Sequence, residues 1–256
     1  MADTGADKAK VTLYWLNMSR AQSFVWLLEE CKGLDYQIEV YKRGKDFLAP
    51  KSLKEIHPLG KSPLVKIEAP SRPEPLIMAE SGTITEYICD YFAPHLIPKR
   101  YLEGKEGQIG GETEQWLRYR HYMHYAEGSL MSLVLIAIFM DQIRNAPVPF
   151  FIKPIVRAIP NRVESMFLND NFKTHFGYLE SQLASSPDGG KYLCGKELTA
   201  ADILISFPLF VGRDKINKTA YPKLIEYINT LETNEGYLRG VKKAEEVSGE
   251  PVKSRL

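Results

Sequence analysis

Residues 11–16, VTLYWL, alternate β-branched, aliphatic and aromatic side chains as a short buried strand does, and Ala21, Phe24, Val25, Leu28 and Cys31 then recur at helical spacing. Residues 36–41, YQIEVY, alternate as a second strand, whereas 44–57 are polar with weak helical spacing. A third strand at 64–67 and a fourth at 76–79 flank the turn-rich EAPSRPEP. Ser81 opens a helix whose Ile84, Tyr87, Ile88 and Tyr91 share one face, and Pro94 and Pro98 end it. The order β-α-β-α-β-β-α predicts a small mixed sheet with helices on both faces.

Beyond residue 95 strand signals almost vanish. A glycine-rich, charged linker at 98–111 leads to long helices at 112–125 and 130–144, then to a proline-punctuated stretch at 146–160, and then to helices at 172–183, 200–211 and 221–231. The reading is therefore α/β plus all-α, with an α/β domain over 10–95 and an all-helical domain over 106–246. Within the second, Thr199-Ala200-Ala201-Asp202 reads as a capping box with a structural role.

Charge narrows the partners. The 33 basic and 32 acidic residues of this 256-residue chain nearly cancel, and no long run of like charge occurs, so nothing points to nucleic acid. A small molecule or another protein is expected instead. The three cysteines lie far apart without a C-x-x-C pair, which argues against a disulfide framework, a zinc site or a dithiol centre and fits a reducing, cytoplasmic compartment. The opening MADTGADKAK has no apolar stretch and reads as a lead-in, not a secretory signal. The apolar run at 130–140 is far shorter than the ~20 residues a membrane span needs. Ser254-Arg255-Leu256 is a close variant of a peroxisomal address, with a frayed tail as the alternative.

Three short stretches carry candidate chemistry. In LKEIHPLGKSPLVKI, residues 53–67, Pro63 directly precedes a strand, where a ladder donor is normally wanted. A cis Ser62-Pro63 bond would turn the amide and carbonyl of Ser62 outward to pair with an extended peptide; an ordinary turn proline is the alternative. Glu80 and Ser81 sit between the fourth strand and the next helix, where a hydroxyl and helix amides suit a carboxylate and a glutamate suits an ammonium. Together they fit one end of an amino acid, or Ser81 is a plain N-cap. Asn17-Met18-Ser19-Arg20 places a hydroxyl and a cation at the mouth of the first helix.

The chain resembles the cytosolic glutathione S-transferases, most of all the fungal Gtt-type group, from about residue 10 to 246. The likeness rests on WLxxSRA at 15–21, YKRxxxFLAP at 41–50, IHPLGKSPL at 56–64, AESG at 79–82, YAEGSL at 125–130 and TAADILISFPL at 199–209. It implies a thioredoxin-like first domain, a helical second domain and a homodimer. It also implies glutathione as cosubstrate with no bound cofactor or metal, conjugation to small hydrophobic electrophiles, and peroxidase activity as a further possibility. A non-catalytic binding protein on the same fold is the alternative.

The resemblance also assigns residues. Ser62 beside Pro63 would pair with the cysteinyl unit, Glu80 and Ser81 would hold the γ-glutamyl end, and Lys61, with Lys45 as second choice, would face the glycyl carboxylate. Ser19 takes the place of the hydroxyl that stabilises the thiolate in serine-type enzymes; Tyr14, with Arg20 as its basic companion, is the tyrosine-type rival. Met18, Tyr122 and Tyr125 would line the cosubstrate pocket, with core packing as the alternative for each. The insert at 146–151 would cover that pocket.

Overall fold

The computed structural model describes residues 9–252. The N-terminal lead-in up to residue 8 and the tripeptide Ser254-Arg255-Leu256 lie outside the described residues. Strand β1 (Lys10–Leu16) is followed by α1 (Ala21–Glu29), β2 (Tyr36–Tyr41), the short α2 (Leu53–Ile56), β3 (Leu64–Glu68), β4 (Leu76–Met78) and α3 (Ser81–Tyr91). The sheet order is β2-β1-β3-β4, with β1 parallel to β2 and antiparallel to β3, and β3 antiparallel to β4. This is the thioredoxin-like arrangement expected, and alternation along β1 explains it. Leu13 and Trp15 join the core on the α1 side, whereas Tyr14 packs with Leu53 and Leu64 in a separate cluster under α2.

The helical part contains α4 (Glu114–Tyr125), α5 (Ser132–Arg144), α6 (Lys153–Val163), α7 (Asn169–Ala184), α8 (Ala200–Val211), α9 (Pro222–Glu232) and α10 (Glu235–Ser248). Helices α4 and α5 are one continuous rod of 31 residues, joined by a π-helical segment at Ala126–Met131. Its length and apolar content would suffice for a membrane span, but Leu130, Met131, Leu133, Val134 and Ala137 are buried in the core. Helix α6 runs through the proline-punctuated stretch, where the sequence suggests no helix. Pro154 sits in its first turn, where no amide bond is lost, and Pro160 lies four residues before a second π-helical segment, Glu164–Leu168. Helix α10 also goes unread in the sequence, since it is mostly polar and contains Gly236 and Gly240.

Those glycines have a purpose. Helix α10 lies along α1, and a Cβ at Gly240 would stand 3.0 Å from the amide nitrogen and 3.1 Å from the Cα of Trp26. One turn earlier, a Cβ at Gly236 would collide with the Glu30 carboxylate at 1.6 Å. Trp26, fully buried, meets the Tyr237 ring edge-on at 5.5 Å between centroids. On its other flank α1 touches α8, where Ser23 and Ser206 hydroxyls lie 3.3 Å apart.

The start of α8 is fixed by Asp202, which is completely buried. Its carboxylate accepts the Thr199 amide at 2.9 Å, the Thr199 hydroxyl at 2.6 Å, the Tyr227 hydroxyl at 2.7 Å and the Leu193 amide at 3.2 Å. The structural role expected for this stretch is what is observed. Cys31, Cys89 and Cys194 are all free and buried, and burial pushes the Cys31 thiol up to about 12 and those of Cys89 and Cys194 higher still.

Because the Gly240 contact is backbone against backbone, neither helix can yield cheaply. Gly240→Leu is expected to destabilise the chain by about 1–3 kcal/mol, the usual range for overpacking, measured as a lower urea midpoint at unchanged slope. An unchanged midpoint would mean that α10 is not held against α1.

Candidate functional site at the mouth of the first helix

The turn between β1 and α1 is held from both sides. Met18 adopts a left-handed conformation with φ 49°, uncommon for a residue with a side chain. The Arg43 guanidinium braces the turn, donating to the carbonyls of Asn17 and Met18 at 3.2 Å each, and its own amide donates to Asn17 Oδ1 at 2.8 Å. Burial, followed by the repulsion of Arg20, lowers the Arg43 pKa. Ser19 is buried; its Oγ donates to the Leu16 carbonyl at 2.7 Å and accepts the Ala21 amide at 3.2 Å. The backbone amides of Ser19 and Arg20 donate to no group among the described residues. A helix N-terminus with free amides and a serine at its mouth is an anion site in waiting.

Ser62 and Pro63 lie across the sheet, at the start of β3. Their peptide bond is cis, as expected. The Ser62 side chain donates to the Tyr14 carbonyl at 2.9 Å, while its backbone amide and carbonyl pair with nothing among the described residues. Tyr14 therefore contributes backbone to this place, and its ring does not. The ring is buried beneath α2, 6.2 Å from that of Tyr41, and burial raises the pKa of its hydroxyl. The sequence offers Tyr14 and Ser19 as rivals because both lie near the end of β1; the pleat sends Tyr14 to the opposite face.

Glu80 and Ser81 stand at the N-terminus of α3. Glu80 has φ 72° and ψ 121°, a strained conformation for a residue with a Cβ. Of four non-glycine residues with positive φ among the described residues, Met18 and Glu80 fall within this small region. Lys45 and Lys61 are exposed and belong to none of the ion pairs among the described residues.

The helical part adds a residue that sequence reasoning missed. Glu127, in the π-helical segment, accepts from Arg20 Nε at 2.6 Å. Burial pushes its carboxyl up; Arg20 and the Ser81 hydroxyl oppose that push, and the Glu80 carboxylate adds to it. Glu127 lies within the YAEGSL stretch, but only the π turn brings it to the first domain.

A cavity of about 130 Å³ opens beside Ser19, walled by Trp15, Met18, Gln22, Phe207, Phe210 and Val252. The Trp15 indole donates to Gln22 Oε1 at 3.2 Å, while the buried Gln22 Nε2 has no partner. A Lys42–Glu250 ion pair at 2.7 Å ties down the C-terminal wall.

Of the expected cosubstrate residues, Met18 lines this cavity, but Tyr122 and Tyr125 turn away from it. Both are buried against α7, where Tyr125 bonds His175 Nδ1 at 2.6 Å and Tyr122 donates to Gln182 at 3.5 Å. Helical periodicity places them on the core face of α4. The insert at 146–151 does not cover the cavity either: Phe150 and Phe151 are 82% and 66% exposed and line none of it. Among the described residues no group of three or more His, Cys, Asp or Glu side chains could hold a metal ion.

Residues 9–90 match the family described as Glutathione S-transferase, N-terminal domain, and residues 152–237 match Glutathione S-transferase, C-terminal domain. The chain is 29% identical over 236 residues to Glutathione S-transferase 1 of Saccharomyces cerevisiae, covering 91% of this chain and 95% of that protein. A glutathione S-transferase crystal structure from Actinobacillus pleuropneumoniae superposes with a TM-score of 0.66 at 25% identity, covering 95% of each chain. A glutathione transferase homologue from Lodderomyces elongisporus, solved with two GSH per subunit, superposes with a TM-score of 0.65 at 19% identity, over 90% of this chain and 97% of that one. With both domains matched in order, and the thioredoxin-like sheet followed by helices seen in the fold, the chain belongs to the glutathione S-transferase family.

Proposed function

We propose that this chain binds reduced glutathione and joins its sulphur to small apolar electrophiles. The observation that supports this most is the unpaired backbone of Ser62 beside the free amides at the mouth of α1. The first suits the cysteinyl unit of an extended peptide, and the second suits a thiolate. Ser81 and Glu80 take the γ-glutamyl end, and Lys61 or Lys45 the glycyl carboxylate. In the reaction the thiol loses its proton to solvent, the sulphur pair forms the new S–C bond, and a leaving group such as chloride departs with its bonding electrons. Activity on hydroperoxides belongs to the same reading as an extension of the same thiolate. Cytoplasmic placement, with the C-terminal tripeptide as a second address, remains a proposal of the sequence.

Ser19 is the hydroxyl assigned to the thiolate. Its proton rests on the Leu16 carbonyl in the free protein, so binding requires a rotation about one bond. A neutral hydrogen bond contributes about 0.5–1.5 kcal/mol and one to a charged partner about 1.5–3, so the exchange is favourable. A thiol with pKa near 8.5 is only about 3% ionised at pH 7; lowering the pKa by about two units makes most of it nucleophilic. The cavity beside Ser19 is the cosubstrate pocket in this reading. Its volume matches a single ring, since an apolar cavity of roughly 150 Å³ takes up benzene.

Two expectations test this reading. Ser19→Ala should lower kcat/KM with a chlorinated dinitrobenzene by roughly 10- to 100-fold and move the alkaline-rising limb of the pH–rate profile upward, since the bound thiol then ionises later. Tyr14→Phe should leave that limb in place, and the opposite pattern would transfer the role to Tyr14. Homodimer formation is supported by the exposed Leu117, Leu135 and Phe139 along the α4–α5 rod. Light scattering at micromolar concentration should give twice the 29.1 kDa chain mass, and a value near one chain would refute it.

A further inference from the structure

The stretch between Asp141 and Glu164 takes no part in the site, and its charge is one-sided: it holds Arg144, Lys153, Arg157 and Arg162 and no acidic residue. Arg144 is neutralised by Asp141 at 2.6 Å and Glu164 at 2.5 Å. Lys153, Arg157 and Arg162 are exposed and belong to no ion pair among the described residues. The same stretch exposes Phe150 and Phe151, whose rings meet edge-on at 5.6 Å between centroids, and also Ile155 and Ile159, at 70% and 60% exposure. Large apolar side chains gathered in one exposed place mark a contact surface.

The pairing of the helical rods sets these residues apart from the body. Tyr122 bonds Gln182, Tyr125 bonds His175, and Arg144 bonds Asn161 and pairs with Glu164, so the chain from α6 through α7 runs antiparallel to the α4–α5 rod. Arg144 is the last residue of α5. At ~1.5 Å per residue, the first two turns of α6 therefore overhang the end of α5 by roughly 10 Å. Phe150 and Phe151 lie in the turn that leads into this overhang. Within α6, Ile155 and Ile159 are one turn apart on a single face, and Phe151 continues that stripe four positions back. Lys153 and Arg157, each two positions from an isoleucine of the stripe, fall on the opposite side of the helix. Ile152, Val156 and Pro160 make up the covered side.

We propose that this overhanging tip docks on an anionic membrane surface: α6 lies in the bilayer interface with Phe150, Phe151, Ile155 and Ile159 among the lipid headgroups, while Lys153, Arg157 and Arg162 hold their negative charge. An interfacial helix has this make-up, apolar on one side and basic on the other, without the ~20 apolar residues of a span. A helix is about 10–12 Å across, so cations on its far side stay within about one Debye length of the surface, and their long stems shorten the gap. A second copy of this chain is a poorer occupant. In a symmetric dimer the patch would meet itself, bringing two sets of unpaired cations together with no acid between Asp141 and Glu164 to offset them.

The test is co-sedimentation of the full chain with vesicles of phosphatidylcholine, either plain or with about 30% phosphatidylserine. Binding to the anionic vesicles should be roughly 10-fold stronger than to the plain ones, and should fall by roughly 10-fold when added salt shortens the Debye length from about 10 Å to about 3 Å. The triple variant Lys153→Gln, Arg157→Gln, Arg162→Gln should lose the preference for anionic vesicles, and Phe150→Ser with Phe151→Ser should weaken binding to both kinds by roughly 10-fold. Phe47→Ser with Leu48→Ser, which alters exposed apolar residues elsewhere, should stay within about 2-fold of wild type; an equal loss there would overturn the inference. Wild type that stays in solution, or tip variants that bind as well as wild type, would overturn it too. So would a Phe150→Ser, Phe151→Ser chain whose light-scattering mass falls by half while wild type ignores vesicles, since the face would then belong to a second copy. Turnover plays no part in this readout, so its outcome is separate from that of the glutathione reading.

Discussion

The structure depends on how α1 is held. Its inner face packs on the sheet and its outer face on α8 and α10, so it belongs to both halves of the chain. The contact with α10 is backbone on backbone at Gly240, which leaves no layer of flexible side chains to absorb a shift. Burial of Trp26 between the two halves adds apolar area where the contact is tightest. What this fixes is the position of the N-terminal end of α1, and with it the turn holding Met18 and Ser19. A helix mouth is a useful anion site only if it stays put relative to the open backbone at Ser62 and the α3 terminus at Ser81.

That dependence explains why the site draws on distant parts of the chain. The β1–α1 turn supplies Ser19, the chain just before β3 supplies Ser62, α3 supplies Ser81, the helical rod supplies Glu127, and the C-terminal segment supplies Val252 to the cavity wall. Arg43, just after β2, braces the turn through the carbonyls of Asn17 and Met18. None of these groups is catalytic or binding by its residue type alone. Each acquires its role from an element that ends, bends or is interrupted at that point.

Much of the sheet half was legible in the sequence. Alternation marked the strands, Pro63 before a strand marked the cis bond, and Glu80-Ser81 before a helix marked the α3 terminus. These signals are local, and local backbone geometry decides them. What stayed hidden was set by tertiary packing. Helix α10 looked too polar and too rich in glycine to matter, because its apolar stripe is narrow and its glycines serve a neighbour that lies two hundred residues earlier. The proline-rich stretch hid α6, since prolines near a first turn and before a π segment do less harm than the same residues in a regular interior. The resemblance puts Tyr122 and Tyr125 in the pocket, but the helix phase that turns them to α7 depends on which neighbour α4 packs on, and that is a tertiary fact. Glu127 was passed over because an extra residue per turn leaves no mark in hydrophobic spacing.

The buried cysteines have a chemical consequence. A thiol whose pKa stands near 12 is ionised to only about one part in a hundred thousand at pH 7, and none of the three lies on the surface. A protein that gathers alkylating or arylating molecules in a cavity of its own risks becoming their first target. Here all three cysteine thiols are buried, and the one nearest the ordinary range is still held far on the protonated side. On the proposed reading the fold separates catalyst from reagent: its amides would serve a thiolate it does not own, while the thiols it does own stay buried.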